Sequence, residues 1–177
     1  MKDVLKAQEE KAFWGYEFLT WLWYRSEVEG GELEVPAMGP VSLWIEDRIV
    51  LGSLDTESKE NILKDGDVSR SGEAAAALKL GKKLQQARFG MIREDREYRF
   101  VLDGTHLDWN SVKLPTTLAE EADDWHATAL VRQSLIGECV DVFDALFQQF
   151  SQARISATWG GEVLPAMATW IAEKEGG

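Results

Sequence analysis

Apolar positions at helical spacing dominate the start of the chain. In WGYEFLTWLWYRSE (14–27), Trp14, Phe18, Trp21 and Arg25 fall at i, i+4, i+7 and i+11 and so share one stripe. Phe13, Leu22 and Trp23 widen the apolar surface, and one carboxylate, Glu17, sits in its midst. The pattern predicts a helix over 4–29, capped by Asp3 and stopped by Gly30-Gly31. A helix apolar on most sides needs partners on more than one face. Trp14, Phe18 and Trp21 are therefore expected in the core or at an interface with another chain. A base-stacking platform fits less well, because such aromatics usually have basic neighbours and only Arg25 is close.

From residue 32 to 115 the pattern changes to β. VSLWI (41–45) and RIVLGSL (48–54) read as a hairpin turning at Glu46-Asp47. That hairpin puts Leu43, Ile45 and Val50 on one face and Trp44, Ile49 and Leu51 on the other. ENILKDG (60–66) adds a short strand ending at Asp65-Gly66. KLQQARFGMIR (83–93) and REYRFVLD (96–103) flank Glu94-Asp95. With that pair as the loop, Met91 faces Tyr98, Phe89 faces Phe100 and Ala87 faces Leu102. Both strands then select the same apolar face, as a hairpin requires. Arg88 and Arg99 fall on the opposite face. HLDWNSVKLP (106–115) reads as a further strand ended by Pro115.

Helical spacing also appears in SGEAAAALKLGKK (71–83), where Ser71 is the cap and Gly81 the stop. It returns from Thr117, where TLAE (117–120) matches a capping box. Trp125, Ala129, Ile136, Cys139, Phe143, Leu146 and Phe150 then form one stripe that includes Arg132. Unbroken to Gln152, this helix would be about 50 Å long, so a bend or break is expected near Gly137. Gly160-Gly161 reads as a turn, and Pro165 suits the first turn of a last helix over 162–174. The fold class expected is α+β: one domain over 1–177. An antiparallel sheet of four to six strands packs with the aromatic N-terminal helix and C-terminal helices. The helical C-terminal part spans 117–175.

Charge changes this picture in one place. The chain carries a net −12, which taken whole repels nucleic acid. Between Arg70 and Arg99, however, eight positive residues meet four acids. That basic island supplies Lys79, Lys82, Lys83, Arg88 and Arg99 as candidate phosphate contacts. The single cysteine, Cys139, excludes an intramolecular disulfide and fits a reducing compartment. The N-terminus has no apolar core like that of a signal peptide. No stretch approaches the roughly 20 apolar residues of a membrane span. A cytoplasmic protein is expected.

Catalytic chemistry finds little support. His106 has no nucleophile near it in sequence. Asp123 and His126 share a helix face, but no second carboxylate-x-x-His exists to complete a di-iron set. Cys139 lies in an apolar stripe without a basic neighbour. No phosphate-loop, dinucleotide, nucleophile-elbow or zincin motif occurs. The LGKK at 80–83 sits at a helix end, where the dipole opposes anions. No enzyme, metal, cofactor or small-molecule substrate is expected.

LKDGDVSRSGEAAAALKLGKKLQQARFGMIREDREYRFVLDGTHLDWNSVKL (63–114) resembles the C-terminal half of the recombination-associated RdgC family. The shared pattern is an acidic-glycine turn, an amphipathic helix ending in Gly-Lys, strands leading to an FVLDG…L…VKL-like segment, and an acidic helical tail. EFLTWLWYRSE (17–27) resembles a segment of longer relatives. The resemblance implies a non-enzymatic protein. RdgC-like proteins form a ring-shaped dimer around double-stranded DNA with little sequence preference and restrain recombinase filaments. The chain is much shorter than that family's norm, so a closed ring is not expected from it alone. The resemblance assigns no individual contact residue; the basic island is an inference from charge. Two functions follow as expectations. One is sequence-independent DNA contact linked to recombination. The other is an interaction module that uses the aromatic helix to form a homodimer or dock on a protein, without DNA.

Overall fold

The computed structural model describes residues 4–53, 60–116 and 124–174, with side chains from Trp14 onward. Among the described residues, four α-helices and a six-stranded antiparallel sheet make an α+β fold. Helix α1 spans Val4–Val28 and is followed by β1 (Glu32–Val35), β2 (Gly39–Gly52) and β3 (Asn61–Lys64). Helix α2 (Gly72–Lys79) leads into β4 (Lys83–Arg93), β5 (Arg96–Asp103) and β6 (Asp108–Lys113). Helix α3 (Trp125–Ile155) and helix α4 (Leu164–Glu173) end the described chain. The strands run β1-β2-β4-β5-β6, with β3 pairing β2 on the edge it also offers to β1.

The β4–β5 hairpin has the register its apolar alternation demands. Met91 pairs with Tyr98, Phe89 with Phe100 and Ala87 with Leu102, all essentially without solvent contact. Glu94 and Asp95 both take positive φ, as a two-residue hairpin turn requires. Against this inner face packs α3. Phe143 lies edge-on to Phe100 at 5.1 Å and to Trp109 at 4.9 Å between ring centroids.

Helix α1 is buried against α3 by its aromatics. Phe150 sits 5.9 Å from Trp14, 5.5 Å from Phe18 and 5.6 Å from Trp21. Helix α1 also comes down on the sheet at Gly15, where a Cβ would lie 1.8 Å from the Gly104 carbonyl oxygen. Only a glycine permits that approach. Thr20 Oγ1 accepts from the Leu84 backbone N–H at 2.9 Å and donates to the Tyr16 carbonyl at 2.7 Å. Glu17, the lone acid of the aromatic segment, accepts from Lys83 of β4 at 3.0 Å and from Arg154 of α3 at 2.7 Å.

Other expectations need correction. Residues 41–54 do not form a hairpin: β2 runs continuously through Glu46-Asp47, with an irregularity between Ile45 and Ile49. Ile45 still pairs with Phe89 and Ile49 with Ala87, so Leu43, Ile49 and Leu51 all reach the core. Neither Glu46 nor Asp47 takes positive φ, unlike the true turn at Glu94-Asp95. Helix α3 does not break at Gly137; its 31 residues are continuous and avoid crowding by overhanging the body. It opens at Trp125, with the Asp124 carboxylate accepting from the Ala127 N–H at 3.0 Å. The capping box at 117–120 lies outside the described residues, as does Asp3. Gly160-Gly161 forms a π-helical turn (Trp159–Val163) leading into α4, with Pro165 in the first turn of α4. Helix α2 is capped as predicted, Ser71 accepting from the Ala74 N–H at 3.1 Å.

Candidate nucleic-acid interface

The sheet has a second, outward face. Residues between the buried positions of β4 and β5 point there, and they include Arg88 and Arg99. Trp44 of β2 pairs with Gly90 of β4 and lies over it, so that a Cβ on Gly90 would be 2.3 Å from the indole ring. Lys113 of β6 pairs with Arg99. Ser111 between them takes positive φ at a register shift that bends the edge strand. Arg88, Arg99, Lys113 and Ser111 thus line one groove of about 460 Å³ together with Glu46 and Asp47.

The two arginines already hold carboxylates. Arg88 Nη1 donates to Asp47 at 2.8 Å. Arg99 Nη2 lies 2.7 Å from Glu97, and its Nε 3.2 Å from Glu46. The hydrogen bond to Glu97, with Glu46 beside it, raises the Arg99 guanidinium above its ordinary value. These contacts orient the forks on the outward face. Asp47 and Glu97 are half-exposed, where ion pairs contribute little net energy, whereas Glu46 is 14% exposed. Lys113 has no ion-pair partner among the described residues.

The other predicted basic residues go elsewhere. Lys83 is held by Glu17 against α1. Lys82 Nζ donates to the Asn61 side chain at 2.6 Å, and Lys79 Nζ to the Lys174 carbonyl at 3.0 Å. The candidate phosphate contacts of the basic island therefore fall into two clusters in space. One knits α1, α2 and β3 to the body; the other lines the outward groove. Arg93 and Arg96 form a third set with Tyr98, all three donating to Glu138 of α3 at 2.6, 3.0 and 2.9 Å. Burial, then that hydrogen bond, pushes the Tyr98 phenol well above its ordinary range.

Trp14, Phe18 and Trp21 are core rather than interface: Trp14 is half-buried, Phe18 and Trp21 are buried, and α3 covers them. Sequence reasoning missed Trp44 and Lys113 as members of the outward face. The signal was present for Lys113, which continues the alternation of DWNSVK one strand beyond Arg99. It was hidden for Trp44 because the segment was read as a hairpin with both faces apolar.

No catalytic arrangement emerges from the described residues. No group of three or more His, Cys, Asp or Glu among them could hold a metal, and Asp123 lies outside them. His126 stacks on Trp125 at 3.5 Å between ring centroids. Cys139 is buried, and loss of solvation together with nearby Glu138 pushes its thiol up to about 12. Such a thiol is not a nucleophile at neutral pH. No helix of the described residues is long and apolar enough to cross a membrane. No protein-family model matches the chain, and no curated protein matches it.

Proposed function

We propose that this chain is a non-enzymatic, RdgC-like nucleic-acid-associated protein of the cytoplasm that contacts DNA through phosphates, without reading sequence. One observation carries the proposal: three adjacent strands bring Arg88, Arg99 and Lys113 to one outward groove beside the flat Trp44 ring. Guanidinium forks match phosphate geometry, and an ammonium adds a point charge. Phosphate contacts position a protein on DNA without carrying sequence information. The resemblance over 63–114 supports the same function, and that segment contains β4, β5 and β6. Asp47 and Glu97, both half-exposed, would be exchanged for phosphates, while the more buried Glu46 stays beside Arg99.

Retardation of duplex DNA across a salt series tests this. Three phosphate contacts predict a log–log slope near −2.7, or roughly a 40-fold loss of affinity between 50 and 200 mM salt. Arg88→Gln, Arg99→Gln and Lys113→Gln should each reduce the slope by about 0.9. Lys79→Gln and Lys82→Gln should leave it nearly unchanged. No retardation at about 50 mM salt, where phosphate contacts are strongest, overturns the proposal.

A further inference from the structure

Helix α4 is followed by a lysine that is almost entirely enclosed. The Lys174 side chain is 7% exposed, and its Nζ donates to both oxygens of Glu27 at 2.7 Å. That Nζ lies 4.7 Å from the ring centroid of Trp23 and 4.9 Å from that of Trp170. The two indoles stand at 81° with centroids 5.5 Å apart, so they form a corner around the ammonium. The carboxylate does not depend on Lys174 for its position. Trp23 Nε1 donates to one Glu27 oxygen at 2.6 Å and Trp170 Nε1 to the other at 2.8 Å. Nor does the second ring depend on it: Trp170 lies edge-on to Tyr24 at 5.7 Å, and Met167 of the same helix is buried. Lys174 comes after the last residue of α4, so its side chain can leave without unwinding a helix.

We propose that Trp23, Trp170 and Glu27 form a binding site for a primary alkylammonium, which the chain fills with its own Lys174. Ring faces attract cations through their quadrupole, most strongly where water is excluded. A carboxylate whose two indole bonds are already made is preorganised, so little ordering remains for a ligand to bring about. A simple surface ion pair needs neither the corner nor the indole donors. The paired 2.7 Å bonds set the ligand class. A primary ammonium has N–H groups for both oxygens, and a quaternary one has none. A route to the site is also present. Trp23 and Glu27 line a cleft of about 740 Å³ together with Glu46, Asp47 and Asp67. These carboxylates outnumber Arg70, the one cation among the described residues of its wall, so the cleft draws cations toward Glu27. A lysine side chain of another molecule entering there would exchange with Lys174 and free the end of α4. The site stands whether or not the outward groove holds phosphates.

Lys174→Ala in the full chain empties the site, and n-butylammonium, which reproduces the lysine side chain, should refill it. A dissociation constant of roughly 1–10 mM is expected for so small a ligand. At about 100 mM, n-butylammonium should raise the melting temperature of Lys174→Ala by about 3–10 °C relative to wild type, whose site is full. Sodium or tetramethylammonium at equal ionic strength should give no such gain, and adding Glu27→Gln should abolish it. If Lys174→Ala does not fold alone, refolding it in n-butylammonium must restore the far-ultraviolet circular dichroism of the wild type. The proposal is overturned by no gain, by an equal gain in wild type or with tetramethylammonium, by a gain that survives Glu27→Gln, or by no recovery of an unfolded variant.

Discussion

Helix α1 and the first third of α3 look alike as sequence and meet opposite fates. Each presents tryptophan in an apolar stripe at helical spacing. In α1 that stripe meets α3 on one flank and the sheet on another, and Phe18, Leu19, Trp21, Leu22 and Trp23 are buried. In α3 the stripe runs off the edge of the body, and Trp125 stays in water. Amphipathic pattern thus predicts that a face wants cover. It does not say whether the same chain supplies it. The two helices also use glycine in opposite ways: Gly15 sits where any side chain would strike the Gly104 backbone, whereas a Cβ on Gly137 would meet nothing within 4 Å.

The sharpest way to break this comparison is Gly15→Ala. Backbone is a poor neighbour to displace, so α1 must lift from the sheet, with a loss of roughly 4 kcal/mol or more, or no folded protein. A urea titration with near-wild-type stability would show that α1 is not seated there. Next in size is truncation of the buried ring set. Phe18→Ala should cost about 3–5 kcal/mol, by lost burial and the cavity left among Trp21, Phe147 and Phe150. The matched change on the overhang, Trp125→Ala, should stay within about 0.5 kcal/mol. Equal effects from the two would erase the distinction.

Glu138 tests how the far half of α3 is fastened to the sheet. Glu138→Gln keeps the shape but leaves Arg93 and Arg96 without their shared anion, and should cost about 2–3 kcal/mol. The Arg93 and Arg96 Nε atoms are already buried without partners, and the anion left to both, Glu94, is an exposed side chain at 3.5 and 2.7 Å. Alkaline pH probes the same contact. Both Cys139 and Tyr98 have raised folded-state values, so their protonated forms are favoured on folding. Stability from these groups is complete below their unfolded values and is lost as pH rises, for Cys139 between about 9 and about 12. At pH 10.5 the thiol alone should contribute a loss of about 2 kcal/mol, read as a lowered urea midpoint against pH 7.5. A further small effect has the opposite sign. Gly137→Ala adds a helix former in open space and should raise stability by about 0.5–1 kcal/mol. A loss there would mean that this part of α3 is covered.

Local periodicity made much of the fold legible. The β4–β5 register followed from Ala87, Phe89, Met91, Tyr98, Phe100 and Leu102 agreeing on one face, because a one-residue slip would turn all six to the other. The Ser71 cap and Pro165 in the first turn of α4 were equally local. Glu46-Asp47 misled, because two acids between apolar runs resemble a turn, while the irregularity that lets β2 continue depends on its neighbour β4. The candidate groove was half legible. Alternation placed Arg88 and Arg99 outward, but linear charge density grouped them with Lys79, Lys82 and Lys83, which folding sends to other partners.

The sequence by itself determined the elements, the β4–β5 register and the apolar stripes, because each depends on side chains two to four residues apart. Only the tertiary structure decided which stripe is covered, which cations face the outward groove and what Glu17 binds. Those outcomes depend on contacts between distant segments, such as Glu17 with Lys83 and Arg154, and no spacing along the chain encodes them.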